Sequence, residues 1–430
     1  MDNKFKWNLR DTDPIVYDLI LKEKKRQTEG LELIPSESYA SSAVIAALGS
    51  VFNNKYSEGY PRKRYYGGNE FVDQVEELAI ERAKKLFNCE HANVQPYSGS
   101  PANLEAYFAL MNFGDKAMGM SLTEGGHLTH GHPVNFSGKA YKFVQYGVEK
   151  ETELLDMDSI RKLAEKEKPK LIVSGATAYP RIIDFKEFSE IAKDVDAYAM
   201  ADIAHIAGLI AGGAHPSCFP FMDVVTTTTH KTLNGPRGAM IMCKKEDRLQ
   251  QKYCPDSKLN LAQRIDKAVF PGMQGGPHDN QIAAKAVAFG EALKPEFKNY
   301  AHQVVKNARA LAESLMDGGI RLVTGGTDNH LILADLTPVN VTGKQAEEAL
   351  DKALITLNKN TIPFETRSPF DPSGIRMGTP AITSRGFKES ECREVGNLIV
   401  KAVKKWNDDS ALKKVRQEVI ELTKNFPMYD

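Results

Sequence analysis

Between residues 171 and 243 short apolar runs alternate with stretches of helical spacing, and this alternation limits what the chain can become. The runs are Leu171-Ile-Val-Ser174, Ala197-Tyr-Ala-Met-Ala201, Asp223-Val-Val-Thr226 and Ala239-Met-Ile-Met-Cys243, with helical patterns such as 158–167 before the first and 185–193 between the first two. Continuous apolar runs suit strands buried on both faces, and helices between them are the crossovers that parallel strands require. The expected class is α/β, with a mainly parallel sheet. Ligands of such sheets gather at the carboxyl ends of the strands.

Other segments complete the outline. Helical spacing runs from Pro14 to Gln27, with Ile15, Leu19 and Ile20 on one side, and returns at 73–87 through Val75, Leu78, Ala79, Ala83 and Leu86. A long helical region spans 280–317. Beyond it, Leu331–Leu336 and Ile355–Asn358, with helices at 343–353 and 388–405, suggest a smaller α+β unit. The expected division is an arm over 1–30, a large domain over 31–285 and a small domain over 286–430, with the boundary inside a helix near 285–300.

The third apolar run leads into Thr-Thr-Thr-Thr229-His230-Lys231-Thr-Leu-Asn-Gly-Pro-Arg237-Gly238. β-Branched residues hold the chain extended and the Gly-Pro turn ends it, so Lys231 falls just past a strand end. A lysine there, with its pKa lowered by burial and nearby cations, is a candidate for Schiff-base chemistry; the plain alternative is a surface lysine in a turn. Pyridoxal phosphate would also need an anion seat, a carboxylate for its ring nitrogen, a stacking group and a cation for a substrate carboxylate.

Each requirement has a candidate. Ser98-Gly99-Ser100-Pro101 reads as a helix start with Pro101 at the first helical position, leaving backbone N–H groups for a phosphate, or simply as a helix cap. Asp202, ending the run 197–201, suits a pyridinium N–H, with His205 three residues on; a turn cap is the alternative. His127, His130 and His132 invite a metal reading, but the segment has no obvious helical or strand frame and no nearby cysteine. An imidazole stacked on a cofactor ring is favoured, and no metal is expected. Asn54 to Gly68, dense in tyrosine, charge and glycine, reads as a site-lining or interface loop, with Glu58 the acid available for proton transfer. Arg376, in a short apolar run, suits a bidentate carboxylate, or a structural ion pair.

Composition excludes other classes. The 430 residues balance 56 Lys+Arg against 56 Asp+Glu, so no charge field favours nucleic acid. Five cysteines without a C-x-x-C pair support neither disulfides nor a zinc knuckle. The polar start and the lack of a long apolar run argue against a membrane, and the cytoplasm is the expected location.

Taken together, Leu31–Ser38, Asn54–Gly68, Gln95–Ser100, Gly125–Gly131, Asp202-x-x-His205, Thr226–Gly238, Phe270–Pro277 and Ser373–Pro380 resemble serine hydroxymethyltransferase, in that family's order and spacing from about residue 8 to 405. The resemblance implies the aspartate-aminotransferase-like fold of pyridoxal phosphate enzymes: an arm, a seven-stranded large domain and a small α+β C-terminal domain. It also implies a homodimer with shared active sites. By this resemblance Lys231 forms the Schiff base with pyridoxal phosphate, Asp202 meets the ring nitrogen and His127 stacks on the ring. His205 and Thr177 lie near cofactor oxygen and substrate, and Ser98, Gly99, Ser100 and His230 seat the phosphate. Tyr56 and the Gly275-Gly276 backbone reach that phosphate from the second subunit. Arg376 and Ser36 hold the substrate carboxylate, while Glu58 and Tyr66 cross the interface, Glu58 as the proton-transfer acid. Arg237 matches an arginine that tunes the lysine, and Leu122, Gly126, Leu128 and Asn360 match positions lining a pterin pocket.

The implied reaction moves the hydroxymethyl carbon of serine to tetrahydrofolate, or a related pterin, leaving glycine and 5,10-methylenetetrahydrofolate. A folate-independent aldolase of threonine-type substrates is the alternative. The chain departs from the family pattern at Pro35, Ser38, Glu124, Ala239 and His278 to Asn280, near the substrate mouth and folate side.

Overall fold

The computed structural model describes Lys4 and residues 7–429. Its seven-stranded sheet runs, in spatial order, His91–Asn93, Ala239–Cys243, Val224–Thr228, Tyr198–Asp202, Leu171–Ser174, Lys116–Met120 and Lys142–Tyr146. All neighbours pair in parallel except Ala239–Cys243, which is antiparallel to both strands beside it. The expected α/β class and mainly parallel sheet are therefore present. Central strands such as Leu171–Ser174 are buried throughout, which is why they read as unbroken apolar runs.

A four-stranded antiparallel sheet forms the C-terminal part, ordered Arg321–Leu322, Leu331–Asp335, Gly374–Gly378 and Asn358–Asn360. Arg376 sits centrally in it, opposite Leu333 on one side and Asn358 on the other. The two-residue strand Leu31–Glu32 pairs in parallel with Ile355–Thr356, so Leu31 and Leu33 pack in the C-terminal core although they lie far away in sequence. One helix, Pro295–Asp317, serves both cores. Its first half gives Ala301, Val304 and Val305 to the large-sheet core, and its second half gives Ala310, Leu311, Ala312 and Leu315 to the C-terminal one. Through this helix the packing holds the small sheet against the large one.

Two local expectations are corrected. The helical region 280–317 is two helices, Asp279–Ala292 and Pro295–Asp317. Lys294 is extended (φ −82°, ψ 152°) because the ring of the following proline disfavours a helical residue before it. Pro101 is third, not first, in the helix Gly99–Leu110, since Ser98 is the N-cap. Proline is tolerated there because the first-turn N–H groups have no helical partner in any case.

The N-terminal helix, Pro14–Glu29, has no buried residue. Ile15, Val16, Leu19 and Ile20 are exposed, as is Val51. No helix among the described residues is long and apolar enough to cross a membrane.

Candidate active site

The carboxyl ends of the large-sheet strands converge on a cavity of about 480 Å³ whose wall includes Lys231, Asp202, His205, His127, Ser98 and Arg376. Asp202 ends its strand, Lys231 follows the end of Val224–Thr228, and Thr177 follows the end of Leu171–Ser174. Arg376 arrives from the small sheet, so the cavity lies between the two sheets.

Asp202 is held by a built network. Asn103 Nδ2 donates to its Oδ2 at 2.8 Å, His130 Nε2 lies 3.2 Å from the same oxygen, and the Ala204 N–H donates to Oδ1 at 3.1 Å. Thr226 Oγ1 donates to Asn103 Oδ1 (2.6 Å), which fixes the amide so that its NH₂ faces the carboxylate. Burial alone would raise the Asp202 carboxyl. The hydrogen bond and charge of His130, the charge of His127 and the Asn103 amide overcome this and hold it well below the usual carboxylate range.

Around this anion are cations without a carboxylate of their own. Among the described residues, Lys231, Arg237 and Arg376 form no ion pair. Burial lowers Lys231 to about 8, with Arg376 and Arg237 acting in the same direction and Asp202 against it. Burial also brings Arg376 down to about 10. Its guanidinium is aimed by neutral acceptors only: Nε donates to Asn358 Oδ1 (3.2 Å) and an Nη donates to Thr177 O (2.8 Å). Thr177 is fixed in turn through its N–H to Gly125 O at 2.7 Å. A half-buried arginine bonded only to neutral groups has its charge left for an incoming anion.

A second anion position lies at the helix Gly99–Leu110. The side chain of its N-cap, Ser98, makes no capping bond, and the first-turn N–H groups carry the positive end of the helix dipole. A Cβ at residue 99 would stand 2.7 Å from Thr228 Cγ2, so a larger residue there would have to displace that side chain. Burial holds His230, on the same wall, neutral with a pKa of about 3, and its Nδ1 accepts from the Gly238 N–H at 3.4 Å. Burial likewise lowers His127 to about 4, and Thr129 anchors its Nδ1 at 2.7 Å. Ser36 completes this wall.

The structure does not bring Tyr56, Glu58, Tyr66, Gly275 or Gly276 to the wall of this cavity. They form a separate cluster. The rings of Tyr56 and Tyr66 meet edge-on at 5.1 Å, and Tyr56 Oη donates to Glu58 Oε1 at 3.4 Å. Gly275 and Gly276 lie beside Glu58 and the Tyr56 ring. The loop under the cluster is rigid: buried Arg64 pairs with Asp73 and Glu76 and donates to Ser57 O and Gly59 O. Yet Tyr56 is 56% and Tyr66 50% exposed, so a stiff base presents both rings to the outside of the chain.

Leu122, Gly126, Leu128 and Asn360 also lie off the cavity wall. Leu122 opens a short turn to Glu124, and Leu128 is exposed. Gly126 can be nothing else, since a Cβ would fall 2.0 Å from Met120 O. The departures from the family pattern have local partners. Glu124 accepts from the Val148 N–H (2.8 Å), Ser38 Oγ donates to Asn234 Oδ1 (2.5 Å), and the His278 ring stacks on Tyr97 at 4.1 Å.

Asn103 and His130 carry the Asp202 network, yet the sequence gives Asn103 no role and His130 only the metal reading that is set aside. A polar residue inside the apolar stretch 102–110 was the available signal for Asn103, and the spacing from His127 was the signal for His130.

An anion cradle, a lysine with lowered basicity, a carboxylate kept ionised and an unpaired arginine fit pyridoxal phosphate with an amino-acid partner. Fold and site together define a fold-type I pyridoxal phosphate enzyme. A family model described as serine hydroxymethyltransferase matches residues 9–399. The chain belongs to that family, and with it to the PLP-dependent transferases.

Proposed function

We propose that this chain is a serine hydroxymethyltransferase in the strict sense: serine and tetrahydrofolate give glycine, 5,10-methylenetetrahydrofolate and water. The observation that carries the reading is the meeting, in one cavity, of Lys231 and ionised Asp202 with the Ser98–Ser100 cradle and the unpaired Arg376. When bound, pyridoxal phosphate supplies an electron sink for the bond that breaks at the amino-acid Cα.

The residues divide the remaining work. Lys231 would hold the cofactor covalently, and its lowered basicity keeps the amine reactive near neutral pH. Asp202 would keep a proton on the cofactor's ring nitrogen, and His127 would stack on the cofactor. Ser98, Gly99, Ser100 and His230 take the phosphate, with His205 and Thr177 beside the ring oxygen. Arg376 with Ser36 would fork the serine carboxylate and so orient the amino acid in the cavity. Glu58 and Tyr66, with Tyr56, Gly275 and Gly276, complete the site of a second copy, and Glu58 carries the proton of the serine hydroxyl. The exposed apolar side of the N-terminal helix and the two exposed tyrosines support this homodimer. Leu122, Gly126, Leu128 and Asn360 line the folate side.

The test is the absorbance of the holoenzyme with glycine, before and after tetrahydrofolate. A new long-wavelength band that needs both is the expected result. A response to glycine alone, with threonine cleavage and no folate effect, would replace this reading with the aldolase.

Glu58→Gln separates proton transfer from binding. The variant is expected to retain cofactor and bind glycine normally while serine turnover falls roughly 10²- to 10⁴-fold. Undiminished turnover would remove Glu58 from the proposed role.

A further inference from the structure

Beneath the Lys231 cavity lies a smaller enclosed one of about 10 Å³, lined by Tyr179, Asp202, His205, His215, Asn329 and His330 among others. That is room for one water molecule. His205 and Asp202 belong to the walls of both cavities. His205, His215 and His330 are all buried, and each has a ring nitrogen without a protein partner: His205 Nε2, His215 Nε2 and His330 Nδ1. Buried polar atoms of this kind are normally satisfied, by ordered water where protein offers nothing.

The remaining nitrogens define the chain of contacts. His205 Nδ1 lies 3.2 Å from His330 Nε2, and His215 Nδ1 lies 2.9 Å from Pro216 O. A carbonyl only accepts, so His215 carries its proton on Nδ1 and offers Nε2 as an acceptor. Burial lowers the basicity of all three rings and keeps them neutral, so each holds a single ring proton. The Asn329 amide and Arg181 are committed elsewhere, and the Tyr179 hydroxyl accepts from the Leu155 N–H at 3.3 Å. Asn329 Nδ2 donates to Tyr179 O, its Oδ1 accepts from the Leu331 N–H, and Arg181 is bonded to Thr324 and Asp328.

With Nδ1 given to His330, Nε2 is the only polar ring atom His205 can offer the Lys231 cavity. That cavity is built for anions, which call for a donor there. A proton on His205 Nε2 makes its Nδ1 an acceptor, so His330 must donate from Nε2 and leave its Nδ1 to accept. One water can then donate one hydrogen to His330 Nδ1 and the other to His215 Nε2. No atom is left with two donors facing each other.

We propose that the small cavity is a binding site for a single structural water, and that His215, this water and His330 form a relay setting the tautomer of His205, with its proton on Nε2 toward the cofactor site. His330 and His215 are positioning residues in this scheme. The inference rests on the cofactor reading for what His205 faces, whereas the water and the tautomers can be observed without turnover.

The test is made on the holoenzyme. A high-resolution crystal structure should place one water within hydrogen-bond distance of His330 Nδ1 and His215 Nε2. Imidazole ¹⁵N–¹H correlation spectra should show His205 and His330 protonated on Nε2 and His215 on Nδ1. His330→Gln, whose amide can still donate toward His205, should preserve the His205 tautomer, and His330→Leu should lose it. The proposal is overturned by a cavity without water, by His205 protonated on Nδ1, or by a His205 spectrum indifferent to His330→Leu. Should neither variant fold, the wild-type spectrum and crystal structure still decide. If instead the chain lacks the proposed transferase activity but shows the water and these tautomers, the cofactor reaction fails and the relay stands.

Discussion

Lys231→Ala leaves a folded protein that no longer holds pyridoxal phosphate covalently and whose serine turnover is lower by at least roughly 10³-fold. The size of the loss follows from the absence of a substitute. Lys285, another buried lysine with lowered basicity, has its amine spent on three backbone carbonyls. Folding should survive, because Lys231 makes no ion pair among the described residues and its removal relieves the desolvation cost of a buried ammonium, the largest influence on that amine. The wild type supplies a second readout. Only the neutral amine attacks the cofactor aldehyde, and the Lys231 ammonium titrates at about 8, so covalent uptake by the apoenzyme should quicken as pH rises through that value. Borohydride reduction followed by peptide mass analysis checks both statements. A reduced adduct on any other lysine, or full turnover in the variant, would move the attachment site away from residue 231.

Much of this site could be read from the sequence because its residues sit at predictable places on local elements. Lys231 and Asp202 follow apolar runs that the buried, parallel strands make conspicuous. Other strands were not conspicuous. His91–Asn93 is three residues long, Lys116–Met120 contains a glycine, and Lys142–Tyr146 is an edge strand with only Tyr146 buried. Val224–Thr228 also extends beyond its apolar run, because Thr226 and Thr228 satisfy their hydroxyls inside the fold. The contacts least legible in sequence were those between distant segments. Nothing near His205 announces His330, nor does anything near Leu31 announce Ile355. Such pairs follow from register and packing, which local periodicity does not encode. The resemblance to a known family placed Tyr56, Glu58 and Tyr66 in a shared site. Their own composition reads only as a site-lining or interface loop, with Glu58 an available acid, and does not say which site it serves.

Lys285→Met, by the same logic, is a change whose cost the sequence conceals, and it is expected to destabilise the protein by about 3–5 kcal/mol, the scale of leaving three buried carbonyls without their donor. Lys285 lies in the apolar helix Asp279–Ala292 and is 1% exposed. Its Nζ donates to Val94 O at 2.6 Å, Ala239 O at 2.8 Å and Pro96 O at 3.1 Å, which uses all three ammonium hydrogens. Methionine matches the chain length but leaves three buried carbonyls without that donor, and each carries a desolvation cost. It also removes the amine whose charge lowers Glu105, a buried carboxyl whose oxygens have no hydrogen bond and which burial raises to about 8. Lys285→Met with Glu105→Leu should therefore recover part of the loss and not all of it, because the carbonyls stay unmet. The damage should reach the active site as well. Val94 and Pro96 lead into the Ser98–Ser100 cradle, and Ala239 follows the Arg237-Gly238 turn behind Lys231, so this one amine ties together two walls of the cofactor cavity. Denaturant unfolding with and without pyridoxal phosphate separates the two effects. A loss of stability in both forms, with weaker cofactor retention, is expected; an unfolding midpoint equal to that of the wild type would mean that the three carbonyls find other donors.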